Sequence, residues 1–279
     1  MAISAALLVA AIAWLYSGVL PGLVRQWAAD DDYSHGFFVI PLVAFFVWER
    51  RTRLRQASLR PSTAGLVLLA GSLLLFAAGQ LGSELFLSRV SLVGLLAGLV
   101  LFVLGPAHFR ILAFPLGFLL LMLPLPEIIF NRIAFPLQMI ASRIGEAAIS
   151  AGGVPVLREG NVLILPDRAL EVAEACSGIR SLITLLMLSI VLGYFMERRT
   201  GARMLIALAA IPIAVVANAA RVAGTGLTSY WISPAAAEGF FHTFSGWLMF
   251  VAAFAGLVAF QRVIELTRLR WTRTTEATC

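Results

Sequence analysis

The strongest constraint on the fold is a series of eight apolar runs that contain no charged residue. Hydrophobic residues make up 60% of the chain and charged residues 13%, against about 45–50% and about 25% in soluble domains. A membrane-spanning helix needs about 20 mainly apolar residues. We therefore predict an all-α polytopic membrane protein with eight transmembrane helices. The runs are Met1–Val24, Tyr33–Trp48, Ser62–Ser83, Val90–Phe109, Ile111–Pro126, Ser181–Met196, Met204–Ala220 and Phe240–Gln261.

The distribution of arginine predicts the orientation of these spans. Met1–Val24 lacks a basic leading segment and a small-residue cleavage site, so we interpret it as a retained span. Eight spans place both termini on one side of the membrane. That side carries 13 arginines and four acidic residues, whereas the other carries eight arginines and 11 acidic residues. Arginine-rich short loops stay in the cytoplasm. We expect a protein of the inner (cytoplasmic) membrane with both termini inside.

The longest segment on the predicted outer side precedes the sixth run. Charges are spaced among apolar residues over Glu127–Ser150, a pattern typical of an amphipathic helix on the membrane surface. The short apolar runs Val154–Leu157, Val162–Leu165 and Ala169–Ala173 follow, separated by turn residues, which predicts a small β-meander. There is no internal repeat, so we expect a single membrane domain over residues 1–279, with its catalytic half at about 125–262.

Three reactive side chains distant in the sequence share the predicted outer boundary. Cys176 precedes the sixth run, Arg221 directly follows the seventh, and His242 lies at the start of the eighth. Short connections make consecutive helices neighbours, so we expect the three side chains to meet there.

This combination is suited to acyl transfer. A helix N-terminus and a nearby positive charge lower the pKa of a thiol, so Cys176 is the candidate nucleophile. His242 is the candidate general base and acid. Arg221 stays protonated, and its planar fork fits a carbonyl oxygen, an oxyanion or a carboxylate. The expected activity is that of a cysteine peptidase or transpeptidase working through a thioester.

Each of these residues also has a plainer interpretation. Cys176 alone is typical of a small packing residue, Arg221 of an anchor at a span end, and His242 of an interfacial histidine. A transporter would place charged or broken-helix positions at the bilayer midplane, and none is evident. A non-catalytic membrane component of polysaccharide export stays open as an alternative.

Three further residues are candidates for supporting or substrate-binding roles. Arg180, one turn after Cys176, is placed to stabilise a thiolate. Asn218 lies three residues before Arg221 and is expected to orient it or to satisfy backbone groups. His35 in "YSHGFFVIP" is predicted to reach the site from the outer face, or else to anchor beside Tyr33.

Other ligands and pairings are not expected. Cys279 lies in the predicted inner tail, about 30 Å of hydrocarbon from Cys176, so these two cysteines should not pair. His108 is predicted to be structural on the inner side. The three histidines fall on two sides of the membrane, so we predict neither a metal nor a cofactor. The basic residues form no continuous face, which argues against nucleic acid.

At these residues the sequence resembles the exosortase/archaeosortase family. The matching motifs are "ACSGIRS" at Cys176, "NAARV" at Arg221, "FHTFSG" at His242 and the opening segment "YSHGFFVIPLVAFFVWERR". The resemblance covers essentially the whole chain, and the order of Cys, Arg and His is that of the family.

The resemblance implies a membrane-embedded sorting transpeptidase. Its substrates would be exported proteins with a C-terminal tail made of a Pro-Glu-Pro-like motif, a transmembrane helix and an arginine cluster. Cys176 would form the acyl-enzyme, with Arg221 and His242 as its catalytic partners. The product would be released or transferred to an acceptor, for which an exopolysaccharide or a lipid is the candidate.

Overall fold

The computed structural model describes residues 2–166, 168–172, 178–233 and 240–276, with side chains for 6–166, 168–172, 181–233 and 244–267. The chain forms two compact units, Met1–Glu127 and Ile128–Cys279. The boundary falls close to the start of the predicted catalytic half. The prediction of one domain stays a prediction.

The first unit is helical. Its α-helices are α1 (Ala2–Leu15), α2 (Leu20–Ala29), α3 (Gly36–Glu49), α4 (Arg51–Gln56), α5 (Ala64–Leu81), α6 (Leu85–Leu99) and α7 (Pro106–Phe118). A π-helical turn, Val100–Leu104, extends α6, and short 3-10 segments lie at Asp31–Tyr33 and Leu119–Met122.

The second unit combines long helices with a small sheet. It contains most of α8 (Glu127–Ala151), followed by β1 (Leu157–Glu159), β2 (Val162–Ile164) and β3 (Ala169–Glu171). After the sheet come α9 (Gly178–Met196), α10 (Thr200–Trp231) and α11 (Phe240–Glu276). Both strand pairs are antiparallel, in the order β1-β2-β3. The helix predicted over Glu127–Ser150 and the predicted β-meander are therefore present.

The prediction of membrane spans is confirmed in a coarser form. Within the described parts of the chain, four helices are long and apolar enough to cross a membrane, and up to six spans result if two interrupted helix pairs each count as one. The helix of the sixth run, Ser181–Met196, is shorter. Exposed apolar side chains on α5, such as Val67 at 75% and Leu74 at 72%, suit a lipid environment. Eight spans stay a prediction.

The first apolar run is not one straight helix. It is divided into α1 and α2, whose described parts differ in direction by 64°. Pro21 lies in the first turn of α2, where it lacks an N–H and its ring clashes with the carbonyl four residues earlier. The Ser17 hydroxyl donates to the Trp14 carbonyl at 2.7 Å. The first apolar run is therefore divided between two helices, and its interpretation as one retained span stays a prediction.

The fourth run begins earlier than its charge pattern predicted. The helix starts at Leu85, where the Glu84 carboxylate caps it by accepting from the Phe86 N–H at 3.0 Å. Arg89 is consequently inside the helix and only 4% exposed. Its guanidinium donates to the side-chain oxygen of Gln26 at 2.8 Å. A buried charge is tolerated when it is hydrogen-bonded. The helix therefore includes Arg89 instead of starting after it.

Small residues bring α5 and α6 close together. A Cβ on Gly94 would lie 2.5 Å from the Ser72 hydroxyl oxygen, and one on Gly98 would lie 2.9 Å from the Leu69 backbone nitrogen. Small residues at such contacts allow membrane helices to approach closely. The connection between the two helices includes Ser83, which has a positive φ of 54°.

The second unit has two cores on two faces of α10. One packs the sheet and α8 against α10 through residues such as Leu163, Ile149 and Val222, which are all 0% exposed. The other packs α9, α10 and α11 through residues such as Leu185 and Leu257. Because α10 takes part in both cores, it packs against the sheet, α8, α9 and α11.

Candidate functional site

Arg221 lies within a helix and is buried. The seventh run ends at Ala220, but α10 continues past Arg221 to Trp231, so Arg221 lies inside a helix, and its predicted place at the outer end of the span stays a prediction. The helix continues because its later residues Val222, Ala223 and Gly226 are buried, with Val222 and Ala223 in the core formed with α8 and the sheet. Arg221 itself is only 7% exposed.

The guanidinium of Arg221 lies against the backbone of α11 at Gly246. A Cβ on Gly246 would lie 3.1 Å from both Cζ and Nη2 of Arg221 and 3.4 Å from Nη1. The three similar distances show that the flat face of the guanidinium covers this position. Only glycine leaves the space unoccupied, so Gly246 allows the close approach of Arg221 to α11.

His242 lies one helical turn before Gly246 on α11. Residues four apart project from the same face of a helix, so the backbone at His242 is next to the place where α11 receives the guanidinium. The side chain of His242 is outside the described residues. Its predicted contact with Arg221 therefore stays a prediction.

The guanidinium borders a recess between α9, α10 and α11. The recess has about 20 Å³ of room for water-sized molecules, which is about one water. Polar lining comes from Ser181, Asn218 and Arg221, and the wall opposite is apolar. The complete lining is Ser181, Leu185, Ala214, Ala217, Asn218, Arg221, Gly246, Met249, Phe250 and Ala253.

Cys176 lies outside the described residues. In the sequence Cys176 is two residues before Gly178, the first residue of α9. Ser181, in the first turn of α9, lines the recess.

The supporting residues differ in how they are placed. Arg180 is in the first turn of α9, and its side chain is outside the described residues. Asn218 lines the recess with Arg221, but its amide makes no hydrogen bond to Arg221 or to another described residue. The roles predicted for both stay predictions.

His35 is held within the first unit. It is 4% exposed, and its ring nitrogens lie 3.1 Å from the Asp32 carbonyl oxygen and 2.9 Å from the Leu121 carbonyl oxygen. These contacts connect the start of α3 to the 3-10 segment after α7, which favours a structural role. The predicted contact of His35 with substrate stays untested. His108 is also buried, with Nδ1 3.1 Å from the Leu104 carbonyl oxygen.

Three residues of this region were not predicted as site residues. Gly246 and Ser181 lie in the motifs that contain His242 and Cys176, so their position was the available signal. Gln138 on α8 has no such signal, and it lines a second recess together with Asn218. Among the described residues there is no group of three or more His, Cys, Asp or Glu side chains that could hold a metal.

The fold and this site define a multi-pass helical membrane protein with a buried arginine between three helices. The chain belongs to the transmembrane exosortase family, because the family described as "Transmembrane exosortase (Exosortase_EpsH)" matches residues 27–259. The predicted family is thus confirmed, and the match includes Cys176, Arg221 and His242. No curated protein and no solved structure matches the chain significantly. Family membership indicates a membrane sorting transpeptidase acting on exported proteins with C-terminal sorting signals.

Proposed function

We propose that the protein is a membrane-embedded cysteine transpeptidase that cleaves the C-terminal sorting signal of exported proteins. The observation that supports this most directly is the placement of the buried Arg221 guanidinium on α11, one turn from His242. Ser181, five residues after Cys176, lines the same recess. The family motifs that contain Cys176 and His242 each contribute a lining residue, Ser181 and Gly246, to the recess that Arg221 borders, which supports the proposal.

In the proposed reaction the Cys176 thiolate attacks the carbonyl carbon of the scissile peptide bond. His242 holds the thiol proton, and the Arg221 fork donates N–H groups to the oxygen that becomes negative. When the tetrahedral intermediate collapses, the C–N bond breaks and His242 protonates the leaving amine. The mature protein is left as a thioester on Cys176. Water or an acceptor nucleophile then attacks the thioester, His242 takes its proton, and the thiolate is regenerated.

The length of α10 supports a reaction at the membrane boundary. A rise of about 1.5 Å per residue places Arg221 about 32 Å along the helix from Thr200. This distance is close to the thickness of the hydrocarbon core, about 30 Å. With Thr200 at the inner boundary, Arg221 reaches the outer one. A scissile motif directly outside a substrate's transmembrane helix would be at this level.

The nucleophile is tested by comparing the two cysteines. The assay uses cells that make an exported reporter protein with a C-terminal tail from the same genome, made of a Pro-Glu-Pro-like motif, a transmembrane helix and an arginine cluster. Cys176→Ala and Cys176→Ser are expected to abolish cleavage of this tail. The matched control, Cys279→Ser, should leave processing unchanged. A hydroxylamine-sensitive adduct between Cys176 and the N-terminal fragment would identify the thioester. Continued processing by Cys176→Ala would refute the proposed enzymatic function and favour a scaffold or a transporter.

We also propose the orientation predicted from the arginine distribution, with both termini in the cytoplasm and the site at the periplasmic face of the inner membrane. In the Cys176→Ser background Cys279 is the remaining cysteine. A membrane-impermeant maleimide should label it only after the cells are permeabilised. Labelling in intact spheroplasts would reverse the orientation.

A further inference from the structure

The recess beside Arg221 combines a small volume with several polar side chains. Its room of about 20 Å³ for water-sized molecules corresponds to one water. Of the described side chains that line it, those of Ser181, Asn218 and Arg221 are polar. They come from two helices, Ser181 from α9 and the other two from α10. A polar space of this size suits one water and is too small for a larger ligand.

Two of these side chains have hydrogen-bonding capacity that the protein does not use. Ser181 and Asn218 are half-buried, and within the described part of the chain neither the hydroxyl nor the amide makes a hydrogen bond. Their polar atoms stay accessible to solvent instead of being sealed in the protein. Partly buried polar groups of this kind are usually satisfied by ordered water when the protein supplies no partner.

Ser181 differs in this respect from other serines inside the helices. Such a serine commonly bonds a carbonyl of its own helix one turn earlier. The Ser72 hydroxyl donates to the Leu68 carbonyl oxygen at 2.7 Å, and the Ser189 hydroxyl donates to the Leu186 carbonyl oxygen at 2.6 Å. The Ser181 hydroxyl makes no such bond. It is therefore available to a molecule in the recess.

We propose that the recess binds one ordered water, which Ser181, Asn218 and Arg221 hold together. A guanidinium can only donate hydrogen bonds, whereas a hydroxyl and an amide can also accept them. The water oxygen thus accepts from Arg221, and its two hydrogens are donated to the hydroxyl oxygen of Ser181 and the side-chain oxygen of Asn218. All four groups are then satisfied by a single molecule.

This water would position the guanidinium, so the inference rests on the proposed function, in which Arg221 acts on the reacting carbonyl. Ser181 ends the motif "ACSGIRS", and Asn218 begins the motif "NAARV". The water therefore connects the segment of the proposed nucleophile to that of the proposed oxyanion donor. Ser181 and Asn218 become positioning residues, and neither needs to touch the substrate.

The water is tested directly by an experimental structure of the full-length Cys176→Ser protein, at a resolution that shows ordered waters. We expect one water within about 3.2 Å of Ser181 Oγ and of a guanidinium nitrogen of Arg221. An empty recess, or a direct hydrogen bond between Ser181 and Asn218, would overturn the inference. This measurement needs no variant of the recess and does not depend on activity.

The positioning role is tested by a double-mutant cycle on reporter cleavage. Ser181→Ala and Asn218→Ala each remove one hydrogen bond to the water, and each is expected to lower kcat about three- to tenfold. KM should change less than about twofold, because neither residue binds substrate. Since both act through the same water, the double variant should lose no more than about twofold beyond the larger single loss. Independent roles would multiply the two losses, and that result would overturn the shared water.

Two further variants separate positioning from folding. Ser181→Thr restores the hydroxyl and should recover most of the kcat that Ser181→Ala loses. The matched control is Ser189→Ala on the same helix, because Ser189 lies outside the lining of the recess; its kcat should be unchanged. Equal losses in Ser189→Ala and Ser181→Ala would overturn the role of Ser181. The two proposals fail separately: processing that does not need Cys176 refutes the enzyme, whereas Cys176-dependent processing with multiplied losses refutes only the shared water.

Discussion

A methyl group at Gly246 would test directly whether the position of Arg221 matters for the reaction. In Gly246→Ala the new carbon would lie 3.1 Å from Cζ and Nη2 of Arg221. Carbon atoms are at their best separation at about 3.5–4.0 Å. The guanidinium must therefore move away from α11 by about 0.4 Å, while the helix backbone can stay in place.

The magnitude follows from how steeply catalysis depends on position. A displacement of about 1 Å costs about a hundredfold in rate, so about 0.4 Å predicts a decrease in kcat of about five- to tenfold. The stability of α11 should not decrease in parallel, because alanine favours a helix interior over glycine by about 0.5–1 kcal/mol. Activity and folding are thus expected to change in opposite directions or independently.

The same helix offers a matched control. A Cβ on Gly256 would meet its nearest neighbour, Cγ2 of Ile213, at an ordinary 3.8 Å, so Gly256→Ala should keep its activity. Both variants are compared by the rate of reporter cleavage in detergent and by thermal unfolding. If Gly246→Ala cleaves as fast as Gly256→Ala, or if it loses activity only because it unfolds, the inferred dependence on the guanidinium position is refuted.

Two further predictions concern charge and packing. Arg221→Lys should lower kcat about a hundredfold or more, because an ammonium cannot reproduce the planar fork at the oxyanion; near-normal cleavage would contradict that role. Gly98→Ala should destabilise the protein by about 1–3 kcal/mol through overpacking. The control Gly71→Ala should not, because a Cβ there would have nothing within 4 Å. Equal unfolding midpoints of the two variants in detergent would count against the close contact of α5 and α6.

Different faces of α10 make different contacts. On α10, Arg221 faces α11, Val222 belongs to the core formed with α8 and the sheet, and Asn218 borders both recesses. A substitution on the face towards α11 therefore affects the position of Arg221, whereas one on the face towards α8 and the sheet affects packing. For this reason KM and kcat need to be measured separately for each variant.

Hydrophobic periodicity and turn chemistry by themselves determined which segments are helices and where the small sheet lies. The apolar runs led to α3, α5, α9 and α11, and the residues between Gly152 and Cys176 led to the β-meander. These features are local, since the length of an apolar run and the spacing of turn residues depend only on neighbouring positions. The family motifs likewise indicated Arg221 as a candidate site residue from the sequence alone.

Element boundaries and contacts were decided by the tertiary structure. Charge ended the predicted helices at Val90 and Ala220, but Arg89 is stabilised by Gln26 from another helix, and α10 continues because its later residues pack on α8 and the sheet. Arg221 contacts Gly246, and Gln138 lines the same recess as Asn218. The residues of each pair are far apart in the chain. Such contacts depend on how helices pack, which no local pattern encodes. The sequence by itself determined the kinds of residue available for chemistry, and the packing of α8–α11 decided which of them meet.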